Sequence, residues 1–162
     1  ETDCMVDIAR YFLQFTQNES CGKCTFCRIG SKRMLEIITR LCEGKAKKDD
    51  LQQLDEISHL MKRASFCGLG KTAPNPVLSS LHYFRDEYEA HLEGRCPAGK
   101  CKALIRYSIT DDCIGCTLCY QHCPVDAIPL TPYKIHTIDP EKCTRCDMCR
   151  AVCPSRPTGC SG

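Results

Sequence analysis

Apolar positions along the first ninety or so residues recur at helical spacing. Residues 3–15 place Val6, Ile8, Ala9, Phe12, Leu13 and Phe15 on one broad face, and residues 31–42 repeat this with Met34, Leu35, Ile37, Ile38 and Leu41 until Gly44 stops the run. A third helix is predicted from Asp49 or Asp50, with Leu51, Leu54, Ile57, Leu60 and Met61 facing inward. A fourth is announced by Asn75-Pro76, a cap followed by a proline that suits the first helical position, and is predicted to reach His91 through Val77, Leu78, Leu81, Phe84 and Tyr88. Amphipathic helices joined by short connections predict a four-helix bundle. After Gly94 the texture becomes β-branched: a strand is predicted over 103–109, and a hairpin pairing 127–130 with 134–138. The domain boundary is expected near 93–102.

Composition changes the picture through one residue type. The chain has 17 cysteines in 162 residues, enough to suggest a disulfide framework. Against that stand the odd count, the close C-x2-C-x2-C spacing, which suits a shared metal centre better than bridges, and the lack of a signal peptide. A reducing, cytoplasmic setting is expected. No apolar run approaches the roughly 18 residues that cross a bilayer. The chain opens at Glu1, without an initiator methionine and already reading as helix interior, so it is expected to be part of a larger protein.

Twelve of the cysteines fall into three sets of four. Two are the duplicated runs Cys113-x2-Cys116-x2-Cys119-x3-Cys123-Pro124 and Cys143-x2-Cys146-x2-Cys149-x3-Cys153-Pro154. This is the signature of two-cluster bacterial ferredoxins, in which three thiolates of each run hold one [4Fe–4S] cube and the fourth crosses to the other. Cys123 is thus expected to complete the cluster of Cys143, Cys146 and Cys149, and Cys153 that of Cys113, Cys116 and Cys119. Formal charge is +2 with neutral cysteines. Each oxidised cube with its four thiolates adds about −2, so three cubes would make the loaded protein acidic, and nucleic-acid binding is not expected.

The third set lies among the helices, in Glu19-Ser20-Cys21-Gly22-Lys23-Cys24-Thr25-Phe26-Cys27-Arg28-Ile29-Gly30 and Ser65-Phe66-Cys67-Gly68-Leu69-Gly70. These residues, with Thr72–Leu78 and Tyr83–His91, resemble the C-terminal cluster domain of the flavin-bearing, NADH-oxidising subunits of respiratory complex I and of NAD-linked hydrogenases and formate dehydrogenases. Phe26 and Ile29 stand where complex I proteins usually have Pro and Glu, and complex I subunits lack an appended ferredoxin. The resemblance therefore points to the iron-hydrogenase branch, in particular its electron-bifurcating complexes. It implies that Cys21, Cys24, Cys27 and Cys67 hold a third [4Fe–4S] cluster. It also implies that FMN and NAD(H) bind to an N-terminal region absent from this chain, whose partners are other subunits of the complex and soluble ferredoxin. No G-x-G-x-x-G follows a predicted strand here. Gly68-Leu69-Gly70-Lys71-Thr72 imitates the end of a phosphate-binding loop, but Ser65 stands where the pattern needs glycine and a helix is predicted where it needs a strand.

Five cysteines remain. His91-x4-Cys96-x4-Cys101 can offer three ligands to a zinc ion, with Cys4 the best fourth; free thiols in a linker are the alternative. His82 lies nine positions before His91, on the opposite helix face, and is the weaker candidate. Cys42 belongs to an apolar helical stripe and is read as core, and Cys160 as free. His59, His122 and His136 have no partner pattern and are read as surface or packing residues, with His122, next to Cys123, the one placed to tune a cluster.

Together these features predict an α+β chain: residues 1–93 a four-helix bundle with one [4Fe–4S] cluster, 94–102 a linker acting as a zinc hinge, and 103–162 a βαββαβ two-cluster ferredoxin-type domain. The expected function is electron transfer within an NAD(P)-linked hydrogenase complex, with no catalytic centre in this segment. A formate dehydrogenase context and a structural iron–sulfur scaffold are the alternatives.

Overall fold

The computed structural model describes residues 3–155 and the backbone of 160 and 161. The chain divides into two units, Glu1–Leu104 and Ile105–Gly162. Among the described residues, no helix is long and apolar enough to cross a membrane.

The first unit is helical: α1 (Met5–Asn18), α2 (Thr25–Cys42), α3 (Asp50–Ala64), α4 (Gly68–Thr72), α5 (Asn75–Tyr83) and α6 (Arg85–Leu92). Helix α1 starts at Met5 with Cys4 as its N-cap, so the expected helical reading of residues 3 and 4 is corrected, and residues 1 and 2 lie outside the described part. The buried stripes follow the predicted period, with Val6, Ala9 and Leu13 on α1 facing Met34, Ile38 and Leu41 on α2. Each of these side chains larger than Ala9 contributes about 1.5–3 kcal/mol on burial. Helix α2 begins six residues before the predicted start because Gly30 does not break it. A Cβ at Gly30 would lie 2.6 Å from Met61 Sδ, so the glycine lets α3 approach closely. Asp50, fully buried at the start of α3, accepts from the Arg40 guanidinium and from the Lys47 backbone N–H (2.9 Å), joining the α2 end to the α3 start.

The predicted fourth helix is two. Phe84 (φ −129°, ψ 41°) breaks it between α5 and α6, and the break lets Tyr88 tuck beneath, fully buried, with its hydroxyl 2.7 Å from Ser80 Oγ. That hydrogen bond replaces the hydration the phenol loses.

The second unit is built by duplication. Gly115 (φ 67°) and Thr117 (φ 63°) recur thirty residues on as Arg145 (φ 57°) and Asp147 (φ 64°), and short helices α7 (Leu118–Gln121) and α8 (Met148–Val152) follow each loop and pack together. Holding a non-glycine residue left-handed costs about 1–2 kcal/mol. Such backbone turns successive N–H groups toward a common concavity, where they attract negative charge. Gly115 has no freedom to be anything else: a Cβ there would meet the backbone of Tyr133 and Lys134 at 2.7 Å.

The βαββαβ expectation is corrected in its strands. Among the described residues the only ladder joins β1 (Ser108–Ile109) to β2 (Cys160–Ser161), antiparallel, and the segment 103–109 contributes just its last two residues. The predicted hairpin survives as one bridging bond, Asp139 N–H to Ala127 O at 2.8 Å. Pro129 and Pro132 remove ladder donors, and Tyr133 is left-handed (φ 58°), so the backbone between the two segments cannot pair in register.

Candidate functional site

One polar centre is assembled inside the first unit. Cys4, the N-cap of α1, His91 in the last turn of α6, and Cys96 and Cys101 from the segment after it bring their ligand atoms within 4.8 Å of one another. Cys4, His91 and Cys101 are buried. Cys4 Sγ to Cys101 Sγ is 3.8 Å, and His91 Nε2 is 3.4 Å from each sulfur. Zn–S bonds of about 2.3 Å and Zn–N bonds of about 2.0–2.1 Å give tetrahedral edges of about 3.8 Å between sulfurs and about 3.5 Å between sulfur and nitrogen. The observed edges agree with both.

The centre also has an orienting shell. His91 Nδ1–H donates to the Glu87 carbonyl one turn back, at 2.7 Å, which leaves Nε2 bare and facing the thiols. The Glu87 carboxylate in turn accepts the Met5 N–H at 3.0 Å, fixing the start of α1 on α6. Without metal Cys4 holds its proton: the shared S–H with Cys101, then burial, push it up to about 12. The hydrogen bond from Cys4 lowers Cys101, but the Cys42 thiol and burial outweigh it and the net shift is upward. Burial lowers His91, and the bonds to Cys4 and the Glu87 carbonyl reverse that.

In the second unit, two cavities separate the eight cysteines. One is lined by Cys113, Cys116, Cys119 and Cys153, the other by Cys143, Cys146, Cys149 and Cys123. Each holds three thiols from one run and the last of the other. The first two of each run stand on the left-handed loops, and the third opens the short helix behind, where burial raises the Cys119 and Cys149 thiols. The Ala127 N–H donates to Cys123 Sγ at 3.3 Å.

The third set is arranged around two helix starts. Cys24 is the N-cap of α2, Cys27 lies in its first turn, Cys67 is the N-cap of α4, and Cys21 is exposed just before α2. A Cβ on Gly70 would lie 3.3 Å from Cys27 Cβ and 2.8 Å from Ser65 Oγ, so α2 and α4 close on each other at that point. Ser65 Oγ is buried with no hydrogen-bond partner among the described residues, and Ser20 Oγ is 3.5 Å from Cys27 Sγ. An orphaned hydroxyl and sulfur-facing hydroxyl suit a group that accepts hydrogen bonds through sulfur, as a thiolate-bound cluster does. The donor sets in both units therefore fit [4Fe–4S] groups.

The remaining histidines separate clearly. His59 and His122 are exposed and bond to carbonyls one turn back, and His82 is exposed, packs edge-on against Tyr83 and is not among the four ligands. Of the surface and packing readings, His136 takes the second: it is buried, and it has a partner that the sequence does not indicate, with Nδ1 3.5 Å from Cys113 Sγ. Cys42 is core, as its stripe implies, but it also lies beside Cys101, a neighbour that no local spacing signals. The side chain of Cys160 lies outside the described residues.

Residues 7–91 match the family described as the NADH-ubiquinone oxidoreductase-F iron-sulfur binding region, and residues 103–160 match a 4Fe-4S dicluster domain. The chain is 49% identical over 138 residues to the NADP-reducing hydrogenase subunit HndC of Solidesulfovibrio fructosivorans, covering 84% of this chain and 28% of that protein. It is 41% identical over 104 residues to a component of the NADH-quinone oxidoreductase of Streptomyces coelicolor, covering 64% of this chain and 23% of that one. Among solved structures, the NAD+-reducing [NiFe]-hydrogenase in its H2-reduced state aligns with a TM-score of 0.54 and 37% identity, over 56% of this chain and 16% of that one. The chain thus spans about a quarter of the length of the curated relatives it matches.

Proposed function

We propose that this chain, which belongs to the family of NADH-ubiquinone oxidoreductase-F iron-sulfur binding regions, is an electron-transfer module that holds three [4Fe–4S] clusters and one structural zinc ion. Cys113, Cys116, Cys119 and Cys153 hold one cluster, Cys143, Cys146, Cys149 and Cys123 the second, and Cys21, Cys24, Cys27 and Cys67 the third. When bound, the clusters supply one-electron redox chemistry. The chain's own residues ligate them and turn backbone N–H groups toward them. The observation that carries this reading is the crossed lining of the two cavities, since a disulfide framework or a pair of independent zinc sites has no reason to exchange the fourth cysteine. The thiols of the described cysteines are free, which suits a reducing, cytoplasmic setting.

Cys4, His91, Cys96 and Cys101 close the zinc site with four protein ligands and leave no position for activating water, so its role is structural. In the whole protein, FMN and NAD(H) bind to residues outside this sequence, and electrons pass to another subunit or to soluble ferredoxin. A hydrogenase complex, bifurcating in its fullest form, is favoured over a quinone reductase by the extent of similarity. The likeness to HndC runs over 138 residues and so continues past the first unit, which ends at Leu104, whereas that to the Streptomyces protein covers 104.

The test is spectroscopic. Anaerobically loaded chain is expected to bleach its visible thiolate-to-iron absorption with dithionite and to leave it unchanged with NADH. Clusters inert to dithionite would leave only a scaffold, and NADH bleaching with stoichiometric FMN binding would overturn the division between this chain and the flavin site.

A further inference from the structure

His136 stands beside the cavity of Cys113, Cys116, Cys119 and Cys153 but belongs to no cysteine set. It is 1% exposed, its Nδ1 lies 3.5 Å from Cys113 Sγ, and its Nε2 is buried with no hydrogen-bond partner among the described residues. Two backbone bonds frame it: Tyr133 N–H to Gly115 O at 3.2 Å ties the preceding turn to the cysteine loop, and Asp139 N–H to Ala127 O at 2.8 Å closes the other side. The imidazole is thus held in place by the same loop that carries Cys113 and Cys116.

A metal-bound thiolate only accepts hydrogen bonds, so the ring must present an N–H to it, which puts the hydrogen on Nδ1. Such a bond draws charge from the sulfur and stabilises the reduced cluster, and burial strengthens it because no water competes. The sibling cavity has no imidazole among its described lining residues. Val125, Ala127, Ile138 and Met148 face it, and the Tyr107 hydroxyl beside it is already engaged with Asp147 at 3.0 Å. The sibling cavity has a backbone donor instead, the Ala127 N–H to Cys123 Sγ at 3.3 Å, so the two halves repeat in backbone and differ in which group addresses a cluster sulfur.

We propose that His136 tunes the cluster held by Cys113, Cys116, Cys119 and Cys153, its Nδ1–H to Cys113 Sγ raising that cluster's potential above the value its four thiolates alone would set. The inference rests on the cluster assignment proposed for these cysteines. His136 is a tuning residue and exchanges no electron itself.

The experiment is a potentiometric titration of the fully loaded chain, monitored by EPR, with dithionite as electron donor. His136→Leu is expected to lower one cluster's midpoint by about 59 mV, a tenfold loss in its one-electron reduction equilibrium, and to leave the others in place. His136→Asn, whose amide N–H can stand where Nδ1 stood, recovers at least half of that shift. Should His136→Leu fail to load iron, 15N-histidine-labelled wild-type protein decides by pulsed EPR: the reduced cluster must show coupling to an imidazole nitrogen that His136→Asn abolishes. Equal shifts at all clusters, no shift, an Asn variant that behaves like Leu, or no nitrogen coupling each overturn the proposal. A wild-type second unit without iron overturns the cluster assignment itself, and the iron count separates that outcome from the others.

Discussion

Replacing His91 with alanine is expected to release zinc and to destabilise the first unit by about 4 kcal/mol or more, because a metal that binds only the folded chain contributes its binding free energy to folding. The four residues come from the start of α1, the end of α6 and the segment after it, so an ion bound there would join parts of the unit far apart in sequence. Removing the imidazole leaves buried thiols facing a void and frees the Glu87 carbonyl. Cys42→Ala is the matched control: it deletes a sulfur beside Cys101 that is not among the four, and zinc should stay. Metal analysis with denaturant unfolding under anaerobic conditions measures both effects.

The site's acid–base chemistry sets the pH dependence. Cys4 is raised to about 12 and Cys101 is raised too, so both keep their protons through the neutral range and must lose them to bind zinc. Apparent zinc affinity therefore rises with pH, and more so because the raised His91 must also be neutral to offer Nε2. Metal-free protein behaves oppositely. Its buried thiols, raised from 9.0, stabilise the folded state below that value, and the contribution is lost as pH climbs toward about 12. Wild-type protein purified anaerobically without zinc, or a His91→Ala variant that keeps it, would contradict the site.

Cys153→Ser is expected to damage the cluster of Cys113, Cys116 and Cys119, forty residues away in sequence, and to spare that of its own neighbours Cys143, Cys146 and Cys149. Loss of one cube removes about four irons. Cys123→Ser should do the reverse. EPR of the reduced variants identifies which cluster survives, because His136 adjoins only one cavity among the described residues. Damage that follows sequence neighbourhood in both variants would mean that the runs do not exchange their fourth thiol.

The parts of this molecule that local chemistry dictates are legible in its sequence. Leu13, Met34, Ile38 and Leu41 are buried where a 3.6-residue period puts them, and Gly44 ends α2 as its position implies. The two-cluster ferredoxin signature implies that Cys123 and Cys153 cross, and each cavity is lined by three cysteines of one run and the last of the other. What depends on distant packing is not legible. The break at Phe84 follows from Tyr88 reaching Ser80, and the lost hairpin from two prolines and a left-handed tyrosine between otherwise strand-like segments. Gly30 reads as a helix breaker until Met61 is seen against it. His136 shows no partner in the sequence because Cys113 is 23 positions away, and the turn that brings them together is held by a glycine in the cysteine loop.

The central claim is that this chain holds three redox-active [4Fe–4S] clusters, and the most direct measurement is iron and acid-labile sulfide per chain, with dithionite bleaching, for wild-type protein and Cys67→Ser prepared anaerobically. The prediction is about twelve irons in wild type and about eight in the variant, all of the wild-type colour bleaching on reduction. A wild-type content near eight irons that Cys67→Ser leaves unchanged, or clusters that dithionite does not reduce, would contradict it.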